Sequence, residues 1–173
     1  MENSIAIVVT VLVLGSGAWW VSHTRLVAAR NAVDDSWADV DAELERRHRL
    51  IPRLVEVVGA AAAHERQLLI ELANRNDAAL AAPHTAGAAN LWEPPLADAA
   101  RRVVALRERY PALNSRQNFL DLQQELASTE DRIAAARRFY NTRVERLNRR
   151  VEAFPSSVVA DRHGFGRADF FDG

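Results

Sequence analysis

The chain has 173 residues, the size of about one domain, and 49% of them are apolar, which predicts a packed core and excludes general disorder. It contains no cysteine, so disulfides, cysteine-ligated zinc, iron–sulfur clusters and thiol catalysis are excluded. Its net charge of −1 gives no electrostatic argument for nucleic-acid binding.

The first element along the chain is an uncharged stretch, residues 5–21, which ends in Trp19 and Trp20. It is just long enough to cross the hydrocarbon core of a bilayer, and indole rings favour the headgroup zone. A cleaved signal peptide is the alternative, but no basic residue precedes the stretch. We therefore expect a retained transmembrane anchor within residues 1–24.

The orientation of this anchor follows from the arginines beside it. Arg25 and Arg30 come after the stretch, whereas no Lys or Arg comes before it. Because basic residues favour the cytoplasmic side, we expect the N-terminus outside the cell and the rest of the chain in the cytoplasm. The sequence thus predicts a single-pass protein of the plasma membrane.

Residues 25–154 show apolar positions at helical spacing, with almost no alternation typical of strands. Pro52 interrupts the first stretch, where we expect a turn or a sharp kink, and a second stretch fades in a loop over residues 81–90. Pro94 and Pro95 fit the start of a third helix. The fold class predicted is all-α: an N-terminal transmembrane helix followed by an antiparallel up-and-down four-helix bundle.

The fourth stretch has the clearest pattern, with apolar residues every three or four positions from Phe119 to Phe154. Asn114 and Gln117 resemble a capping box at its start, and Pro155 ends it. Residues 155–173 form a tail that is too apolar for a free end. We expect this tail to pack on the bundle, the membrane interface being the alternative.

Charges are segregated along the chain. Residues 31–45 contain six acids and no base, whereas residues 131–150 contain seven arginines and two acids. In an up-and-down bundle the first and fourth helices are neighbours, so the simpler interpretation is charge matching between them. The alternative is a basic cluster facing the anionic lipids of the inner leaflet, formed by Arg143, Arg146, Arg149 and Arg150.

No motif in the sequence specifies a reaction or a cofactor, and a serine, a histidine and an acid that meet only in space stay an open alternative. Glu45 and His48 have the Glu-x-x-His spacing of di-iron bundles, but no second pair exists, so we expect ordinary surface or boundary residues there. No glycine-rich phosphate loop occurs in a strand–helix context. We expect no catalytic residues, no metal, no cofactor and no enzymatic activity.

Several strings resemble the LemA family of bacterial membrane proteins. They are RRHRLIPRLVEVV (46–58), AAHE (62–65), YPALNSRQNFLDLQQEL (110–126) and FPSSVV…GFGRADFF (154–171). The resemblance implies a single-pass anchor and a cytosolic four-helix bundle, and it transfers no catalytic residue. It also includes Arg137, Tyr140, Asn141 and Asn148 on one side of the fourth helix. We interpret these four as a buried polar seam, with a docking surface as the alternative.

Function is predicted from these features taken together. We expect a non-catalytic, membrane-anchored scaffold or adaptor that contacts lipid through its anchor and binds another protein. Its distal surface, around residues 50–53 and 111–116, is the expected docking region. The alternative is a module that senses inner-leaflet lipids or envelope stress. The sequence leaves the partner and the oligomeric state open.

Overall fold

The computed structural model describes residues 2–172, and the side chains of residues 2–6, 8 and 11 lie outside that description. Five α-helices are present: α1 (Glu2–Gly59), α2 (Arg66–Leu80), α3 (Ala86–Val104), α4 (Gln117–Glu152) and α5 (Ser156–His163). Short 3₁₀ turns at Ala63–Glu65, Ala105–Glu108 and Pro111–Leu113 occur between them. The described residues contain no strand, which confirms the all-α class.

Over the described part of the chain, no helix combines the length and the hydropathy that crossing a membrane requires. The predicted span at residues 5–21 includes Ile5, Ala6, Val8 and Val11, whose side chains lie outside the description. The transmembrane anchor therefore stays a prediction.

Of the turn and the sharp kink that were the alternatives at Pro52, the turn is wrong, because α1 continues through this residue to Gly59. Pro52 is exposed, whereas Ile51 and Leu54 beside it are fully buried. A proline inside a helix costs about 3 kcal/mol, and burial of several apolar side chains outweighs that cost. The chain leaves the helix at residues 60–62, where the amides of Ala61 and Ala62 both donate to the Val58 carbonyl.

Pro94 and Pro95 do not mark the start of the third helix, since both lie inside α3. The helix begins at Ala86, where the Thr85 hydroxyl accepts a hydrogen bond from the Ala88 amide at 3.3 Å. The buried residues Ala86, Ala89, Glu93 and Leu96 follow one another at helical spacing on one face. This buried face extends the helix backwards over half of the predicted loop at 81–90.

α4 follows the prediction closely, but its expected capping box is wrong. Asn114 lies outside the helix and its amide donates to the Arg107 carbonyl at 3.5 Å. The Gln117 amide donates to the Asp121 carboxylate at 2.8 Å, one turn further along the helix. Neither side chain therefore reaches back to the other in the manner of a capping box.

The described chain divides into two compact units. The first comprises the chain up to Ser36 together with Asn141–Asp169, and the second comprises Trp37–Tyr140 together with the residues from Phe170 on. Helices α1 and α4 contribute residues to both units.

The second unit has a core built from four helices. Buried residues of α1, α2, α3 and α4 form one cluster, which includes Leu54, Leu72, Leu96 and Leu122. Cross-helix ion pairs give the directions of α1 and α4: Glu43 pairs with Arg132, and Arg53 with Glu125. Because the numbers rise along α1 as they fall along α4, these segments are antiparallel.

The first unit has a smaller core, in which Leu26 packs with Val159 and Ala160 of α5. The His23 and His163 rings meet edge to face, with centroids 4.6 Å apart. Gly164 ends α5 in the left-handed conformation at φ 72°, which glycine adopts without steric cost.

Candidate functional site

The second unit contains a buried ionic network. Arg47 and His48 come from α1 and Glu93 from α3, and their exposed fractions are 3%, 6% and 5%. The Arg47 guanidinium pairs with the Glu93 carboxylate, and its Nη1 lies 2.9 Å from Oε1 of Glu130 on α4. Nε2 of His48 lies 3.1 Å from Oε1 of Glu93. We call Arg47, His48, Asn76 and Glu93 the polar core.

Asn76 of α2 completes the polar core. Its Oδ1 lies 3.0 Å from Nδ1 of His48, so the imidazole ring is held at both nitrogens. The polar core thus joins three helices, and the pair between Arg47 and Glu130 connects it to a fourth, α4. Buried polar groups stabilise a fold in this way only when each has partners.

The electrostatics of the polar core favour an ionised Glu93. Burial acts to raise the pKa of Glu93, but the hydrogen bond from His48 and the charge of Arg47 outweigh it and lower the pKa below 4.5. The carboxylate is thus stabilised as an anion by two neighbours from α1. Such an arrangement holds the negative charge of Glu93 in place.

The expectation that Glu45 and His48 are ordinary surface or boundary residues is wrong for His48. His48 is buried in the polar core, whereas Glu45 is exposed and pairs with Arg49 at 3.3 Å. Residues three apart on a helix lie only about 60° apart around its axis, so at the edge of a buried face one of them can be buried while the other is exposed. Sequence reasoning missed the polar core, because nothing in the string Arg47-His48 marks those side chains as buried.

A surface pocket of about 540 Å³ lies beside the polar core and is lined by His48 and Glu93 among others. At its wall, within the described residues, Asp41, Glu45 and His84 each place one potential metal ligand within 4.8 Å of the others. Nδ1 of His84 already lies 2.9 Å from the Asp41 carboxylate. The three side chains are exposed or half-buried, and the expectation of no metal stays a prediction.

The predicted lipid-facing arginines lie in the C-terminal part of α4, in the first unit. Arg149 pairs with Glu145 one turn away, and Arg150 donates to the Arg25 carbonyl at 2.7 Å. Arg146 is exposed and Arg143 is half-buried. The structure therefore brings Arg150 next to the residues that follow the predicted anchor.

The predicted polar seam divides between the two units. In the first unit, Asn148 is buried and its amide makes two hydrogen bonds with the backbone of Ala168, at 2.9 and 3.0 Å; Asn141 is half-buried. In the second unit, Arg137 donates to the Asp172 carbonyl at 2.7 Å. Tyr140 is buried, with its ring centroid 5.2 Å from that of Trp37. Two of the four residues thus bind the C-terminal tail.

An all-α protein with a four-helix core, built around a buried ionic network, is the class that these features define. The chain belongs to the LemA family, whose model matches residues 36–173. The family resemblance seen in the sequence is thereby confirmed.

Two magnetosome proteins, MamQ 1 and MamQ 2 of Paramagnetospirillum magneticum (strain ATCC 700264 / AMB-1), are similar to part of the chain. Each is 33% identical over 70 residues, which is 40% of this chain and 26% of the relative. The similarity thus spans about a quarter of the length of these relatives.

Proposed function

We propose that this chain is a non-catalytic helical module, anchored in the membrane, that binds a partner protein. The observation that carries the proposal is an apolar groove between α2 and α3. Ile70, Leu91 and Trp92 line this groove with exposed fractions of 49%, 69% and 45%, and its volume is about 440 Å³. We call these three residues the apolar groove.

The chemistry of the apolar groove favours a helical partner. Large apolar side chains in one patch typically mark a protein–protein interface, and tryptophan is a frequent hot-spot residue. Glu71 and Arg75 lie at the same groove and form an ion pair at 2.9 Å. An apolar centre with a charged rim fits the amphipathic helix of another protein.

The membrane part of the proposal is supported by the uncharged stretch at residues 5–21, with Arg25 and Arg30 after it. An anchor raises the effective concentration of the module near other membrane proteins, so a modest affinity suffices. On the positive-inside rule, the helical units would lie on the cytoplasmic side.

The experiment is in-cell cross-linking followed by capture of the full chain from native membranes. We expect one discrete partner with the unaltered chain and loss of that partner with Leu91→Ser. Phe139→Ser is the matched control, because Phe139 is exposed to 68% on α4, outside the apolar groove. Equal recovery from Leu91→Ser would exclude this groove, and recovery of lipids alone would favour the alternative below.

The second candidate function is sensing of anionic lipid. It is favoured by the hydrogen bond from Arg150 to the carbonyl of Arg25, which lies four residues after the end of the uncharged stretch at residues 5–21. Each basic residue near the surface of a membrane with anionic lipids contributes about 1 kcal/mol of attraction. In reconstituted vesicles, trypsin cleavage at Arg146 should slow when phosphatidylserine replaces phosphatidylcholine. Arg143→Glu with Arg150→Glu should abolish that slowing.

A further inference from the structure

The last described residues, Phe170–Asp172, occupy a site on the second unit. Phe171 is only 1% exposed, and its ring centroid lies 5.7 Å from that of Trp37 in an edge-to-face arrangement. Its neighbour Phe170 is 39% exposed. One aromatic side chain is therefore anchored while the adjacent one faces solvent. We call Trp37, Asn90, Arg137 and Tyr140 the tail site.

The tail site holds the backbone on both sides of Phe171. Nδ2 of Asn90 donates to the Phe170 carbonyl at 2.9 Å, and Oδ1 accepts from the Asp172 amide at 2.8 Å. Arg137 adds a third bond, to the Asp172 carbonyl at 2.7 Å. The Asn90 carboxamide thus supplies the donor and the acceptor that a neighbouring strand would supply.

These bonds do not depend on which side chains the bound segment carries. They recognise a backbone, while the contact with Trp37 selects an aromatic side chain at the central position. This division, with main-chain bonds for affinity and a side-chain pocket for specificity, is typical of sites that bind extended peptides. In the first unit Asn148 also binds the backbone through its carboxamide, but there both bonds go to one residue, Ala168.

We propose that the tail site is a peptide-binding site that the chain fills with its own C-terminal segment, and that a partner's segment of the same chemistry can replace it. The ligand is an extended peptide with phenylalanine at the centre and an acidic residue after it. This inference rests on the proposed function, because it names a second surface at which the partner would bind.

The preference for an acidic residue follows from the arginines near Phe171. Arg47, Arg101 and Arg137 line a cavity of about 210 Å³ together with Phe171, facing two carboxylates, those of Glu93 and Glu130. In the segment that fills the site, the acidic residue is Asp172, and the Arg137 guanidinium donates to its backbone carbonyl. A peptide acid at the position of Asp172 would lie beside Arg137.

The chain's own tail sets a threshold for any competitor. A segment joined by a short linker competes at an effective concentration of about 1 mM, so a free peptide binds the unaltered chain weakly. Any change that loosens the tail should raise the apparent affinity for a free peptide, since the fraction of chains with an open site rises. The tail is therefore an autoinhibitory element of the site.

The test measures binding of a fluorescent, amidated peptide with the sequence of residues 166–172 by anisotropy, on the full chain. We expect Phe171→Ala to bind this peptide at least about tenfold more tightly than the unaltered chain. Adding Asn90→Ala to that variant should remove the gain. Phe154→Ala is the matched control, since Phe154 is exposed to 84% outside the tail site, and should bind like the unaltered chain.

Two outcomes overturn the inference. One is that Phe171→Ala does not bind the peptide, and the other is that it binds equally well a peptide with alanine in place of the phenylalanine that corresponds to Phe171. If Phe171→Ala fails to fold, the unaltered chain provides the test. An excess of the peptide should then speed hydrogen exchange at the Asp172 amide, and unchanged exchange refutes the proposal. Partner capture that persists while the peptide fails would overturn this inference and leave the proposed function standing.

Discussion

Replacing Arg47 with methionine is the sharpest test of the polar core. The change removes the guanidinium that pairs with Glu93 while keeping most of the side-chain volume. Glu93, at 5% exposure, then keeps the hydrogen bond with His48, at 3.1 Å, but loses its ion pair. Removing one partner of a buried ion pair costs about 3–5 kcal/mol, because the remaining charge is left without compensation.

The contact with Glu130 adds little to this figure. The Glu130 side chain is 48% exposed, so its pair with Arg47 contributes at most about 1 kcal/mol. We therefore expect Arg47→Met to lower the free energy of unfolding by about 3–5 kcal/mol. This is a large part of the total free energy of unfolding of a typical folded protein, which is roughly 5–15 kcal/mol.

The assay is urea unfolding in mild detergent at pH 7, followed by far-ultraviolet circular dichroism. Glu93→Gln and the double variant complete a mutant cycle, and the double variant should lose about 1–3 kcal/mol less than the sum of the singles. Arg49→Met is the control, because Arg49 is 67% exposed two residues along the same helix. The reasoning would be refuted if Arg47→Met lowered the free energy of unfolding by less than about 1 kcal/mol. It would also be refuted if the losses of the two single variants were additive in the double variant.

Three further predictions follow from the same structure. Pro52→Ala should raise the free energy of unfolding by about 1–3 kcal/mol, since the new amide can donate to the His48 carbonyl inside α1; a loss would indicate a turn there. The pKa of Glu93 is lowered, so the unfolded chain takes up its proton first on acidification. The stability contributed by Glu93 should be present above about pH 4.5 and lost below it. Between pH 6 and pH 3, the free energy of unfolding of Glu93→Gln should therefore change less than that of the unaltered chain. The pKa of Tyr110 is raised, mainly by burial and next by the hydrogen bond that its hydroxyl donates to Glu65 at 3.1 Å. Absorbance at 295 nm should show Tyr110 ionising at lower pH in Glu65→Gln, and an unchanged curve would exclude the Glu65 contribution.

The helical class and the extent of α4 could be predicted from the sequence. Both depend on the spacing of apolar residues, which is a local property of the chain. From Phe119 to Tyr140 most large apolar residues of α4 fall on one face, which is buried in the second unit, and the exceptions Leu120 and Phe139 are exposed. The family could likewise be recognised, because its strings are local patterns too.

The prolines show where local rules fail. Because proline has no backbone N–H to donate, local rules predict helix ends at Pro52, Pro94 and Pro95. All three nevertheless lie inside helices. The low helix propensity of a proline costs a few kcal/mol, and the free energy gained by burying apolar residues on either side exceeds that cost. Only packing against other helices supplies that burial, so the helix boundaries near these three prolines could not be found from the sequence.

The candidate sites were decided by tertiary structure. His48, Asn76 and Glu93 are far apart in the chain, and no spacing rule connects them. Phe170 and Phe171 are identical in type and adjacent, but one is exposed and the other is anchored against Trp37. The sequence by itself determined that the chain is helical, because helical periodicity is encoded within a few turns. Which polar groups meet and which aromatic ring is buried depend on contacts between distant segments, and those exist only after the helices have packed.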